Sequence, residues 1–137
     1  MRMERFRAVA LIVLALMAEV VIMVTGLVLF SIGALVVATG GSPAPSADSF
    51  NLGVAVAGFL VIAVSSALAA LVAVLLLRFA RSLSGVAVAA TAMAGPLATA
   101  LASVLMFGGA AGEVVLYVGA TVVGCAPVAV FAARRRR

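Results

Sequence analysis

Four acidic side chains, Glu4, Glu19, Asp48 and Glu113, supply all the carboxylates in this chain, and Glu19 alone interrupts an otherwise unbroken apolar run, ALIVLALMAEVVIMV at residues 10–24. An ionised carboxylate at the centre of a bilayer costs roughly 2.5–3.5 kcal/mol on insertion scales, so intramembrane acids face the bundle interior and are candidates for function. Desolvation penalises the charged form, so Glu19 is expected to be protonated. A neutral acid in a dry site is suited to general-acid catalysis or to a protonation switch. Glu19 is therefore the leading candidate for a catalytic, substrate-binding or proton-binding group.

Glu113 and Tyr117 are weaker candidates. Glu113 begins the fourth apolar run, where a carboxylate complements the positive end of a helix. Tyr117 follows one turn later as the sole tyrosine and reads as an interfacial anchor, with a role as proton donor or substrate contact as the alternative. A Glu19–Glu113 acid–base pair is disfavoured. The two lie about 10 Å apart in depth by helical rise, and side chains lean toward their own helix N-termini, which here means apart.

The remaining chemistry is bounded by absences. The chain has no His or Trp and a single Cys, Cys125, which excludes histidine-ligated haem, histidine-based zinc or copper sites, disulfides within the chain and His-based triads. So few carboxylates also argue against a magnesium or calcium site, and no metal or cofactor is expected. Cys125 falls in a small-residue pattern and reads as a buried small side chain.

The elements that must carry Glu19 follow from composition. With 67% hydrophobic and 9% charged residues, the chain lies far outside the range of soluble domains. It has room for about four spans of roughly 20 residues. Apolar runs over about 8–38, 52–77, 83–107 and 113–133 predict an all-α, integral membrane four-helix bundle, a single domain over 1–137. The connections are TGGSPAPSADSFN, which places an outer loop at 40–51, then RFARS and GGAAG.

Every arginine falls on one side of these spans: Arg2, Arg5 and Arg7, then Arg78 and Arg81, then Arg134 to Arg137. The positive-inside rule makes that side the cytoplasm, giving an N-in/C-in protein of the cytoplasmic (plasma) membrane. The arginine-only, alanine- and valine-rich composition suggests a GC-rich bacterial genome. The terminal RRRR reads as a topology anchor rather than a nucleic-acid patch, so no nucleic-acid partner is expected. A signal-peptide reading, with VVA at residues 36–38 as the cleavage site, is set aside because the apolar run is about twice too long for an h-region. The first run also exceeds a core roughly 30 Å thick, so its helix should tilt or protrude.

Small residues predict the packing. In the third run, Ala90, Ala94, Ala98 and Ala102 form one row, and Ala87, Thr91, Gly95, Thr99 and Ser103 form a second beside it. Together they predict that the third helix is the packed centre. Leu97, Leu101 and Leu105 would then face lipid or another subunit. Ser65, Ala69, Ala73, Ser66 and Ala70 in the second run, and Ala120, Gly124, Thr121 and Cys125 in the fourth, repeat the pattern.

Glu19 lies 12 residues beyond Arg7, about 18 Å above the inner boundary. By the same counting the Gly95–Pro96 pair and Thr121 share its depth. Pro96 lacks an amide hydrogen and obstructs the Ala92 carbonyl. Protonated Glu19 is thus expected to donate a hydrogen bond to that carbonyl or to Thr91, Thr99 or Thr121, and these threonines join it as candidate substrate- or proton-binding residues.

At LMAEVV, residues 16–21, the first helix resembles that of the small multidrug resistance transporters, four-span proteins in which a membrane Glu binds protons and cationic drugs in turn. The resemblance covers that helix. Those transporters have shorter loops and use Trp and Tyr around the Glu, whereas Tyr117 is the only such residue here. Over most of its length, through the long outer loop, the Arg78/Arg81 pair and GPLATA at 95–100, the chain resembles uncharacterised small four-span membrane proteins of actinobacteria, a resemblance that implies fold and compartment.

Three functions are compatible with these residues. One is a structural or accessory subunit of a membrane assembly, partnered by lipid and by copies of itself or a larger complex. Another is a proton-coupled small transporter with Glu19 as the switch. The last is a membrane-embedded enzyme of isomerase or cyclase type, acting on a lipid-soluble substrate with Glu19 as general acid. Orientation can be tested first. In a Cys125→Ser background, an impermeant maleimide applied to intact cells is expected to label a cysteine at Ser46→Cys and to leave one at Ser82→Cys unlabelled; the opposite pattern reverses the orientation.

Overall fold

Lipid offers no hydrogen-bond partner to a peptide group, so long apolar segments close their backbone bonds within themselves. The computed structural model describes residues 2–39, 47–80, 83–107 and 111–135. Among these the chain is all-α, with α1 at Arg2–Thr39, α2 at Ala47–Leu77, α3 at Gly85–Phe107 and α4 at Ala111–Arg135. Each contains a stretch long and apolar enough to cross a membrane: Phe6–Val36, Leu52–Leu77, Gly85–Met106 and Val114–Arg134. α2 starts at Ala47, earlier than the apolar run at 52, because loss of apolar character marks where lipid contact ends and not where helical hydrogen bonding ends. Residues 1, 40–46, 81–82, 108–110 and 136–137 lie outside the described residues.

The ends of the helices have local causes. Ser84 caps α3, its Oγ accepting the Ala87 amide at 3.2 Å. α2 closes by a tightened last turn, with the amides of Phe79 and Ala80 donating to the carbonyls of Leu76 and Leu77 at 3.3 and 3.0 Å.

The helices pack in the ring order α1–α2–α4–α3, with α2 and α3 also touching across the middle. Among the described residues α1 and α4 do not meet at backbone distance. Ala15, Leu77, Val88 and Ala132 share one buried cluster, which brings the start of α1, the end of α2, the start of α3 and the end of α4 to the same end of the bundle. Met23, Ile62, Ala69 and Ala120 form a second cluster toward the opposite, loop-bearing end.

The expectation that α3 is the packed centre needs correction, because α2 makes the most extensive contacts. The alanine row of α3 is the reason. Ala90, Ala94, Ala98 and Ala102 are exposed, while the buried face runs through Val88, Ala92, Gly95, Pro96 and Thr99. A small side chain permits close approach without compelling it. In α2 and α4 the small residues do pack inward: Ser66, Ala69, Ala70 and Ala73, and Ala120, Thr121, Gly124 and Cys125, are buried. Leu101 and Leu105 face outward, as expected.

α2 and α4 approach closely at Gly124. A Cβ there would run into the Ala63 carbonyl oxygen and stand 3.0 Å from the Ser66 Cβ. Backbone cannot yield as a flexible side chain can. Gly124→Ala is expected to lower stability by about 1–3 kcal/mol through overpacking. Gly119→Ala, where nothing lies within 4 Å, is expected to be neutral or slightly stabilising. Thermal unfolding of both variants in the same detergent checks the contrast, and equal effects would remove Gly124 from the interface.

Candidate functional site

α1 presents Ala15, Glu19 and Met23 on one stripe at helical spacing, all of them buried. Ala15 belongs to the cluster at the termini end and Met23 to the cluster at the loop end, so Glu19 stands between two apolar layers. It is 0% exposed. The inward orientation expected for an intramembrane acid is what the bundle adopts.

Glu19 reaches that position because α3 gives way at Gly95. A Cβ on Gly95 would overlap the Glu19 carboxyl, with Glu19 Cδ at 2.7 Å and Glu19 Cβ at 2.8 Å. The carboxyl lies against α3 at Gly95, whose neighbour in sequence, Pro96, is also buried. Helical rise along the sequence puts Gly95 at this depth, and the facing of α1 on α3 brings the two residues into contact.

The expected hydrogen bond is a different matter. Both carboxyl oxygens of Glu19 are buried without a hydrogen-bond partner among the described residues. Neither the Ala92 carbonyl nor any of the three threonines takes the proton of Glu19. Each threonine hydroxyl is already engaged by its own helix: Thr91 donates to the Ala87 carbonyl at 2.9 Å, Thr99 to Gly95 at 2.9 Å and Thr121 to Tyr117 at 2.8 Å. A hydroxyl four residues beyond a carbonyl finds that acceptor without tertiary help, and so wins it. Ser66 does the same, donating to the Ile62 carbonyl at 2.6 Å, with Met23 Sδ 3.5 Å away.

The candidates are therefore distributed as follows. Thr91 and Thr99 flank Gly95, which Glu19 touches, by one turn on either side along α3. Thr121 is buried on α4, across the bundle from α1. Tyr117 packs against the loop-end cluster on α4 and lines a cleft between α1 and α3. Glu113 lies in the first turn of α4, and its side chain is outside the described residues. Cys125 is a buried, free thiol in the termini-end cluster. Among the described residues no three His, Cys, Asp or Glu side chains gather as a metal site needs.

The cleft is the feature that sequence reasoning missed. It occupies about 850 Å³, begins beside Glu19 at Val20 and Thr99, and extends toward the loop end past Val24, Val28 and Ala102. The outward-facing alanines of α3 were its only sequence signal.

Fold and site together define a multi-pass α-helical membrane protein with a sealed carboxylic acid at mid-bundle. Family profiles, curated proteins and solved structures return no match to this chain. The Glu19–Gly95 contact is open to a double-mutant cycle. Gly95→Ala is expected to destabilise the wild type, and Glu19→Ala in the same chain to recover a coupling energy of about 0.5–3 kcal/mol, read from unfolding in detergent. Additive effects would mean that the two residues do not touch.

Proposed function

We propose that this chain is a small structural or accessory protein of the bacterial cytoplasmic membrane, with both termini cytoplasmic and Glu19 held as the neutral acid. One observation carries this reading: the described residues are almost entirely span, and the segments that join the helices, 40–46, 78–84 and 108–110, are too short to form a domain. What the chain does between its first and last helices, it does within lipid. The sealing of Glu19, whose oxygens reach neither water nor a described polar partner, supports a bundle that is closed at this level.

A second reading, a proton-coupled transporter with Glu19 as the switch, is supported by that same unpartnered carboxyl. A buried acid with no hydrogen bond costs about 1–3 kcal/mol, so stability alone does not account for it. A proton that no neighbour holds is also one that a ligand can replace.

Glu19→Gln and Glu19→Ala separate the two readings, because Gln imitates the protonated acid in shape. For the accessory role, Glu19→Gln is expected to match the wild type in expression, oligomeric state and stability. Glu19→Ala is expected to lose about 1–3 kcal/mol from the cavity that it leaves. Tetraphenylphosphonium should bind neither variant nor wild type in a pH-dependent way. Proton-competitive binding of that cation by the wild type, abolished by Glu19→Gln, would replace the accessory reading with the transporter.

A further inference from the structure

We propose that the end of the bundle where α2 and α4 stop holds one anionic membrane lipid, its phosphate gripped between Arg78 and Arg134 and its acyl chains lying along the two helices. α2 and α4 run in the same direction and pack together, and Leu77 at the end of α2 shares a buried cluster with Ala132 near the end of α4. Their register follows from the close contact at Gly124, which faces Ala63 and Ser66. Ten residues beyond that contact lie Arg134 on α4 and Ala73 and Leu76 on α2, so Arg78 is two to five residues further on, about 3–8 Å in depth. Packed helix axes stand about 8–10 Å apart, so two extended arginine side chains reach one phosphate group between them.

The depth is that of lipid headgroups. The apolar stretches Leu52–Leu77 and Val114–Arg134 end at these two residues, and both side chains are exposed. A guanidinium group stays charged and forms paired N–H bonds to phosphate oxygens. No carboxylate of the protein competes for them. Asp48 and Glu113 lie in the first turns of α2 and α4 at the opposite end, Glu19 is sealed at mid-bundle, and Glu4 is on α1, which does not meet α4 at backbone distance among the described residues. Arg7 differs, because Glu4 stands three residues before it on the same helix and partly offsets its charge. A zwitterionic lipid carries its own cation beside the phosphate, which a pair of arginines repels, whereas an anionic headgroup meets only attraction. Before each arginine its helix turns an exposed apolar stripe outward at helical spacing, Leu71 and Leu75 on α2 and Val123 and Val130 on α4, and the acyl chains lie there. This inference stands whether the chain is an accessory protein or a transporter, and whichever face of the membrane receives the termini.

The test uses the full chain in phosphatidylcholine liposomes with a tracer phosphatidylglycerol that carries a photoreactive diazirine on one acyl chain, and maps the adducts by mass spectrometry. Saturable adducts are expected at Leu75 and Val130, displaced by unlabelled phosphatidylglycerol and not by added phosphatidylcholine or inorganic phosphate. Arg78→Gln and Arg134→Gln should each weaken this labelling about fivefold, and Arg7→Gln should change it less than twofold. Where a glutamine variant does not insert, the lysine variant serves, because it keeps the charge and loses only the paired geometry: Arg78→Lys and Arg134→Lys should weaken the labelling and Arg7→Lys should not. Displacement by phosphatidylcholine would show ordinary bilayer lipid, and displacement by inorganic phosphate a soluble anion, either of which overturns the proposal. An effect of Arg7→Gln as large as those of the other two would also overturn it, by showing diffuse surface charge in place of a site, as would labelling indifferent to Arg78→Gln or Arg134→Gln.

Discussion

A carboxyl group in the middle of an apolar bundle has to be given room, and the pairing of Glu19 with Gly95 is where this protein gives it. Any side chain on Gly95 would occupy the volume that the acid fills. The same contact fixes how closely α1 and α3 approach, and so sets the point from which the two helices diverge. The sealed acid, the apolar layers on either side of it and the cleft beyond it all depend on this single absent Cβ.

Hydroxyl groups in this bundle are satisfied mainly within their own helices. Seven serine and threonine hydroxyls in the helices, including Thr25, Ser66 and Thr121, donate to the carbonyl four residues back on their own helix. Such bonds form as soon as a helix forms and cost little further order. They commit those donors to their own helices. Glu19 makes no such bond to its own helix, so it is left dependent on what the bundle or a ligand provides.

The small-residue rows show the difference between permission and instruction. In α2 and α4 the alanine, serine and glycine positions were legible as interfaces and are buried, since both helices have neighbours close on those sides. In α3 one row packs inward and the adjacent alanine row does not. Nothing in a four-residue spacing of alanines distinguishes a face that meets another helix from one that borders an open cleft. That choice depends on how many helices surround α3 and at what distance, which is a property of the whole bundle.

What the sequence determined by itself is what depends on length, hydropathy and covalent character: four helices, their approximate limits, the exclusion of histidine and disulfide chemistry, the inward burial of Glu19 and its depth beside Gly95. Each follows from the cost of exposing peptide groups or charge to lipid, a cost that acts residue by residue along one helix. Only the tertiary structure decided that α1 and α4 stand apart, that the threonines spend their hydroxyls on their own helices, and that α1 and α3 separate into a cleft lined by Tyr117. These outcomes depend on distances between helices, and a pattern along a single helix does not encode them.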